Sequence, residues 1–487
     1  MLATASVKKN FVLNLIYTIS GILFPLITFP YISRILFAEG IGKVQFYSSI
    51  VEYIILLTSI GIPLYAVREI ARVRNDRVRM SETMTEILLL HTILSVAGYM
   101  LVFVLINTVA KIQADIPLFL LLSTSIFFKV IGVEWFYNGI EDFKYITIRS
   151  IIIRVLSLIA LFVFVREKDD LYYYAAISVA ATVGNNVFNF VRLRRYINLS
   201  DFGWRGLQIG KHFKPALKVF VLNLIISLYI HLDTIMLGFF KDEAAVGYYT
   251  ASVRVSRTLT SVVASLGVVL LPRLSNLVSS GSMEEFRSLS QKSIDFITGL
   301  SLPLTVGVIF MASPVIHLFC GNHFEPSVIT LQLMAPIILF ISISGIYNLQ
   351  ILYALNKEKL AIISASFGAV VNLTLNFILI PYYSQYGAAV ATLFAELIVV
   401  ISTVILGKRY IPINLFSREK ITYYLATLLI VVLLFSLRYA HLSEIVYLAI
   451  GTIASVFIYI LFLVVRKDSL ITQIMQLCIS KYGKNEH

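Results

Sequence analysis

Long apolar stretches recur from one end of this chain to the other, and they constrain its fold more than any other feature. Each is about 20 residues long, which is enough for an α-helix to cross the hydrocarbon core of a bilayer, about 30 Å thick. A soluble globule needs roughly a quarter charged residues to cover its surface. With 58% hydrophobic and only 14% charged residues, the chain is predicted to be an all-α polytopic membrane protein.

Fourteen transmembrane helices are predicted, and their approximate positions are 11–35, 42–67, 82–107, 115–139, 146–165, 171–190, 216–239, 247–272, 294–319, 327–354, 361–380, 387–407, 421–437 and 445–465. Pro25, Pro30 and Pro63 suggest kinks in the first two spans. Trp135, at one end of the fourth span, is interpreted as an interfacial anchor.

The distribution of basic residues predicts the orientation. If the N-terminus lies in the cytoplasm, the cytoplasmic segments hold 29 of the 40 Lys and Arg residues, and the opposite segments hold 7. Cytoplasmic loops are enriched in Lys and Arg, so both termini are predicted to be cytoplasmic. The net charge of +13 is therefore interpreted as topological charge and not as a nucleic-acid surface.

The chain also shows weak internal duplication. Val44–Ser48, entering the second span, resembles Val246–Thr250, entering the eighth, and Tyr137–Asp142 lies before the fifth span where Tyr353–Glu358 lies before the eleventh. Such repeats are typical of transporters built from two related lobes. The predicted divisions are a six-helix lobe at 1–195, a basic cytoplasmic linker at 196–215, a second six-helix lobe at 216–410, and two extra helices with a cytoplasmic tail at 411–487.

Several ionisable residues fall inside the predicted spans, where one charge costs about 2.5 to 3.5 kcal/mol. The basic ones that we select as candidate binding residues are Arg257, Lys129, Arg154 and Arg254. The acidic ones, candidates for ion coupling or counter-charge, are Glu52, Asp233 and Glu396.

The excess of positive charge favours a water-filled cavity that binds a phosphate or pyrophosphate group. The alternative is that these charges pair with one another and only hold helices together, and for Asp233 a structural ion pair with Arg254 is the favoured interpretation. Glu52 could bind Na⁺ or H⁺ and couple transport to an ion gradient, or it could be a fixed counter-charge for Arg257.

Sequence motifs for catalysis are missing. The chain has no GxxxxGK[ST] loop, no HExxH motif and no cluster of metal-ligating residues in its sequence. We therefore predict a protein that is not an enzyme, that has no cofactor or metal site, and that is not driven by ATP.

Three local sequences resemble a known family. Pro25–Arg34, Glu39–Gly42 and above all Glu134–Tyr145 are similar to the polysaccharide biosynthesis family. This family includes the O-antigen (Wzx-type) flippases of the multidrug/oligosaccharidyl-lipid/polysaccharide exporter superfamily.

The resemblance implies two lobes in a V shape, a cationic central cavity and alternating access. The implied substrate is an oligosaccharide linked to undecaprenyl pyrophosphate, moved from the cytoplasmic to the periplasmic leaflet of a bacterial inner membrane. Its implied partners are membrane lipid and, within the assembly pathway, a polysaccharide polymerase and ligase.

Three alternatives stay open. A multidrug antiporter of the same superfamily would be expected to have a cavity dominated by carboxylates and aromatic rings. A membrane glycosyltransferase or polymerase would need a large loop with catalytic carboxylates, whereas the longest loop, about 191–215, is basic. A scaffold without transport activity would leave the intramembrane charges without a function.

Overall fold

The computed structural model of the chain describes residues 7–197, 206–268, 270–411 and 417–468. Within these ranges the chain is almost entirely helical and has no β-strand. The helices are α1 (Val7–Ser59), α2 (Ile62–Val73), α3 (Arg77–Thr108), α4 (Ala110–Gln113), α5 (Ile116–Ile131), α6 (Glu134–Gly139), α7 (Phe143–Phe164), α8 (Leu171–Leu193), α9 (Gly210–Phe240), α10 (Glu243–Val268), α11 (Leu271–Ser279), α12 (Met283–Cys320), α13 (Pro326–Met334), α14 (Pro336–Gly345), α15 (Glu358–Gly407), α16 (Arg418–Arg438) and α17 (Glu444–Val465). A π-helical segment, Ile346–Leu352, follows α14, and short 3₁₀ turns lie at Lys168–Asp170 and Asn322–Phe324.

Nine helices in the described part of the chain are long and apolar enough to cross a membrane. Two of them, α1 and α15, are each interrupted by one residue with a positive φ, Phe37 (54°) and Ser384 (53°). A residue in an α-helix has a negative φ, so each of these residues ends one helical arm and precedes the next. Each lies between two successive predicted spans. The described residues of the fourteen predicted spans are nearly all helical, and the prediction of an all-α, multi-pass membrane protein is confirmed.

The second and fourth predicted spans are each two helices and not one. Ile60 (φ 34°) and Gly61 (φ 67°) separate α1 from α2, and Pro63 lies in the first turn of α2. Val133 (φ 34°) separates α5 from α6. Gly61 is required at its position, because a Cβ there would lie 2.6 Å from the carbonyl oxygen of Ala216 and because glycine tolerates a positive φ.

A hydrophobic core lies where α2, α3, α6 and α9 meet. It includes Ile70 of α2, Met84 of α3, and Trp135, Phe136 and Tyr137 of α6. Trp135 is only 5% exposed, so its interpretation as an interfacial anchor is wrong. The left-handed break before α6 redirects this short helix, which packs against α2 and buries the three aromatic side chains.

The chain forms two compact units. Unit 1 comprises the described residues up to Gly247, and unit 2 those from Tyr248 onwards. In unit 1, α9 packs against α1, α2 and α3, and in unit 2, α12 packs against α13, α14, α16 and α17. The division into two six-helix lobes, a linker and two extra helices stays a prediction.

Candidate functional site

The seven predicted site residues differ in accessibility. Unit 1 contains Glu52 on the second arm of α1, Lys129 in the last turn of α5, Arg154 on α7 and Asp233 on α9, and unit 2 contains Arg254 and Arg257 on α10 and Glu396 on α15. The exposed side chains are those of Glu52, Lys129 and Arg257, the half-buried ones are those of Arg154 and Arg254, and the buried ones are those of Asp233 and Glu396.

Lys129 lies on the side of α5 opposite its exposed large apolar residues. The large apolar side chains that α5 exposes are Leu120 and Phe127. At about 100° per residue, Lys129 is rotated about 200° from Phe127 and about 180° from Leu120. Its ammonium group has no ion pair with any described residue, but its charge acts on Glu52 and His91.

Glu52 lies on a polar side of the second arm of α1. Ser48 and Gln45, one and two turns before it, are polar and half-buried. The Glu52 side chain is exposed, and the charge of Lys129 acts on its carboxylate. Unit 1 therefore brings two predicted site residues together, a carboxylate and an ammonium group that are both accessible.

Arg154 is held against α1. Its guanidinium donates hydrogen bonds to the carbonyl oxygen of Tyr17, at 3.0 Å, and to the Ser20 hydroxyl, and it lies 5.0 Å from the centre of the Tyr17 ring. These contacts join α7 to the first arm of α1. Two of its five N–H groups are used, so Arg154 fixes two helices together and still has donors for a ligand.

Arg149, five residues before Arg154, is a buried cation that the sequence did not single out. It is 6% exposed. It donates hydrogen bonds to the side chains of Asn185 (3.0 Å), Asn189, Glu134 (3.3 Å) and Ser150 (3.3 Å). Arg149 lies in the predicted fifth span, 146–165, and the signal that could have indicated its role is the group of Asn residues in the apolar helix α8.

The contacts of Arg149 extend into a polar network around the break between α5 and α6. The Tyr17 hydroxyl donates to Glu134 at 3.2 Å. The Asn189 amide donates to the carbonyl oxygen of Gly132, and the Tyr137 hydroxyl donates to that of Asn189 at 2.6 Å. The network satisfies backbone groups that the helix break leaves without partners.

The helix α10 of unit 2 exposes a polar side. Arg254, Arg257 and Ser261 lie one turn apart along it, and the Ser261 hydroxyl donates to the carbonyl oxygen of Arg257 at 2.8 Å. Between Phe240 and Met283, no large apolar side chain among those described is exposed. An accessible helix side with this composition is suited to water or a polar ligand and not to acyl chains.

Asp233 and Glu396 are buried at 3% and 5% exposure. The charge of Asp233 acts on the Tyr53 hydroxyl, and the Tyr53 ring packs edge-on against His231 at 6.0 Å. The pairing of Asp233 with Arg254 stays a prediction. Within the described residues, no three His, Cys, Asp or Glu side chains are grouped so as to hold a metal ion.

Comparison with models of protein families shows which family matches the chain. The family model described as polysaccharide biosynthesis protein matches residues 7–278, more than half of the chain. The chain belongs to this family. A second model, MatE, matches residues 219–378, which overlaps the C-terminal part of the region matched by the polysaccharide biosynthesis family.

Two curated relatives are similar over nearly all of their length, and a third over part of it. A protein of Shigella dysenteriae named as an O-antigen transporter is 24% identical over 81% of this chain and 98% of its own. The capsular polysaccharide biosynthesis protein CapF of Staphylococcus aureus is 23% identical over 82% of this chain and 99% of its own. The lipid II flippase MurJ of Bacillus subtilis is 26% identical over 41% of this chain and 38% of its own.

Solved structures share the fold. The inward closed conformation of the lipid II flippase MurJ gives a TM-score of 0.74 at 16% identity, over 94% of this chain and all of that one. An inward-facing multidrug resistance transporter of the MATE family gives 0.64 at 15% identity, over 80% of this chain and 93% of that one. This member of the polysaccharide biosynthesis family thus has a fold that it shares with both kinds of transporter.

Proposed function

We propose that this protein is a transporter, and not an enzyme, that flips an oligosaccharide linked to undecaprenyl pyrophosphate by alternating access. The oligosaccharide is an O-antigen unit or a similar repeat unit, and it moves from the cytoplasmic to the periplasmic leaflet of a bacterial inner membrane. The observation that carries the proposal is the placement of Lys129 and Arg257. Both lie in predicted spans, both side chains are exposed, and neither has an ion pair with any described residue.

The cost of these charges supports a polyanionic ligand. A cation that faced acyl chains would cost about 2.5 to 3.5 kcal/mol, and Lys129 and Arg257 both lie on helix sides that do not carry exposed large apolar residues. A water-filled cavity removes this cost, and a pyrophosphate adds charge-assisted hydrogen bonds. We assign Lys129 and Arg257 as phosphate-binding groups, each in its own unit, and Arg154 and Arg254 as weaker contributors.

The acidic residues have different proposed roles. Glu52, exposed near Lys129, is a counter-charge or a binding site for Na⁺ or H⁺. The ion pair between Asp233 and Arg254 stays a prediction, and we propose Glu396 as a buried counter-charge. The excess of Lys and Arg on one set of loops supports a cytoplasmic location for both termini.

A second candidate function is multidrug antiport. The match of the MatE model to residues 219–378 favours it. A cationic drug, however, would be repelled by the exposed Lys129 and Arg257, neither of which forms an ion pair with a described residue, and this favours the lipid-linked pyrophosphate.

The test uses a deletion strain that lacks the gene and is complemented with variants. Intermediates linked to undecaprenyl pyrophosphate should accumulate in the cytoplasmic leaflet, and the intact gene should restore surface polysaccharide. Arg257→Ala should abolish the rescue at normal protein levels, Arg257→Lys should retain part of it, and Arg287→Ala, which removes an exposed cation from α12, should be silent. Equal rescue by all three variants would exclude the phosphate role, and normal polysaccharide with sensitivity to cationic drugs would indicate the antiporter.

The same strain tests ion coupling. If Glu52 binds Na⁺ or H⁺, Glu52→Gln should reduce transport and remove its response to collapse of the ion gradient. If Glu52 is only a counter-charge for Lys129, the single variant Lys129→Gln leaves the Glu52 charge without its cation. The double variant Glu52→Gln with Lys129→Gln should then transport better than that single variant.

A further inference from the structure

Unit 1 contains a basic cavity that lies apart from the predicted substrate residues. It has a volume of about 620 Å³ and lies between α2 and the first turns of α9. Arg68, Lys211, Lys214 and Lys218 contribute four cations to its lining, with Pro215 and Val219. The volume falls within the range of about 300 to 1,000 Å³ that is usual for small-molecule sites.

A buried carboxylate fixes one wall of this basic cavity. Glu86 of α3 is fully buried, and it accepts hydrogen bonds from the backbone N–H of Gln208 (2.7 Å), from Lys211 (2.7 Å) and from His212 (2.8 Å). The other ring nitrogen of His212 lies 2.8 Å from the Tyr65 hydroxyl of α2. The start of α9 is therefore joined to both α2 and α3, and the cavity is preorganised before a ligand arrives.

Two of the four cations are left without a counter-charge. Lys214 and Lys218 are exposed and have no ion pair with any described residue. They are four residues apart and so lie on one side of α9. The Arg68 guanidinium lies 3.8 Å from the Glu69 carboxylate, which is a long contact. The same carboxylate pairs more closely with Arg72, at 2.9 Å. The basic cavity therefore carries a net positive charge.

Exposed apolar side chains lie next to these cations. Leu64, one turn before Arg68, is 62% exposed, and Leu217, beside Lys218, is 37% exposed. The predicted seventh span begins at residue 216, so Lys214 and Lys218 lie at the level where head groups are expected. Basic pockets between helices on the cytoplasmic side, bordered by apolar surface, bind anionic lipid head groups.

We propose that the basic cavity binds the phosphate group of a lipid in the cytoplasmic leaflet, with Lys214, Lys218 and Arg68 as its ligands and the acyl or prenyl chain lying along Leu64 and Leu217. Two lipids have this chemistry, an anionic phospholipid and a polyprenyl pyrophosphate. Only the second case rests on the proposed flippase function, where the cavity would be a loading site.

The experiment measures lipid binding by the purified full-length protein in a neutral detergent, with undecaprenyl pyrophosphate and with phosphatidylglycerol as separate probes. The double variant Lys214→Gln with Lys218→Gln is compared with a charge-retaining variant, Lys214→Arg with Lys218→Arg. The matched control, Lys408→Gln with Arg409→Gln, removes two exposed cations that follow α15. Gel filtration verifies that each variant is folded.

Loss of two lysine contacts should weaken binding about 30-fold, while the arginine variant and the matched control bind as the wild type does. A loss for both lipids, or for phosphatidylglycerol alone, supports a general lipid-phosphate site whatever the protein transports. A loss for undecaprenyl pyrophosphate alone supports the loading site. The proposal is overturned if the double glutamine variant binds both lipids as the wild type does, or loses no more binding than the matched control. Because binding is measured without transport, failure of the flippase function would not alter these outcomes.

Discussion

Replacing Arg149 by alanine should lower the free energy of unfolding by about 3 to 5 kcal/mol, the usual cost of removing one partner of a buried ion pair. The side chain is 6% exposed and donates to four side chains of α6, α7 and α8. Its removal leaves the fully buried Asn189 side-chain oxygen without its donor. It also leaves Glu134, which is partly accessible to water, without its cation, so the upper end of the range is not expected.

Two other arginines provide a graded comparison. Arg154→Ala removes two hydrogen bonds from a half-buried side chain, and we expect a loss of about 1 to 3 kcal/mol. Arg79→Ala removes a side chain that is 75% exposed and lies 3.4 Å from Asp76, and we expect less than about 1 kcal/mol.

The assay is equilibrium unfolding of the purified protein in mixed micelles, followed by tryptophan fluorescence. The chain has two tryptophans, so a Trp204→Phe background leaves Trp135, in the core on α6, as the reporter. The reasoning would be refuted if Arg149→Ala unfolded within about 1 kcal/mol of Arg79→Ala. Unchanged stability with lost transport would instead assign Arg149 to substrate binding.

Two further predictions concern the backbone. Gly42→Ala should destabilise the protein by about 1 to 3 kcal/mol, because its Cβ would lie 1.7 Å from the carbonyl oxygen of Glu243. This exceeds the gain in helix propensity of about 1 kcal/mol. Gly210→Ala, which meets no atom within 4 Å, should be neutral or slightly stabilising in the same unfolding assay. Finally, two backbone N–H groups that donate to the Asp170 carboxylate at 2.8 and 2.9 Å hold its pKa below the usual range. The order that this contact gives to the loop should be present at neutral pH and be lost as the pH falls through the lowered pKa. A carbon-13 NMR titration that gave an ordinary Asp pKa would contradict this prediction.

Part of the candidate site could be predicted from the sequence. Charges at depth in apolar spans are visible without a structure, and Lys129, Glu52 and Arg257 are indeed accessible. The sequence could not separate Arg154 from Arg149, because both lie in one apolar stretch and their difference depends on Asn185 and Asn189, far away in sequence. The buried Glu86, in a span that begins with charged residues, was missed for the same reason.

The sequence by itself determined the all-α, multi-pass membrane class, because the thickness of the hydrocarbon core and the cost of an unsatisfied peptide group leave few other solutions. Only the tertiary structure decided which side of each helix meets protein, water or lipid. Helical periodicity fixes the angle between two residues on one helix, but not which neighbour that angle faces. Breaks such as those at Gly61 and Val133 change the angle again, which is why the Trp135 side chain is buried in the core.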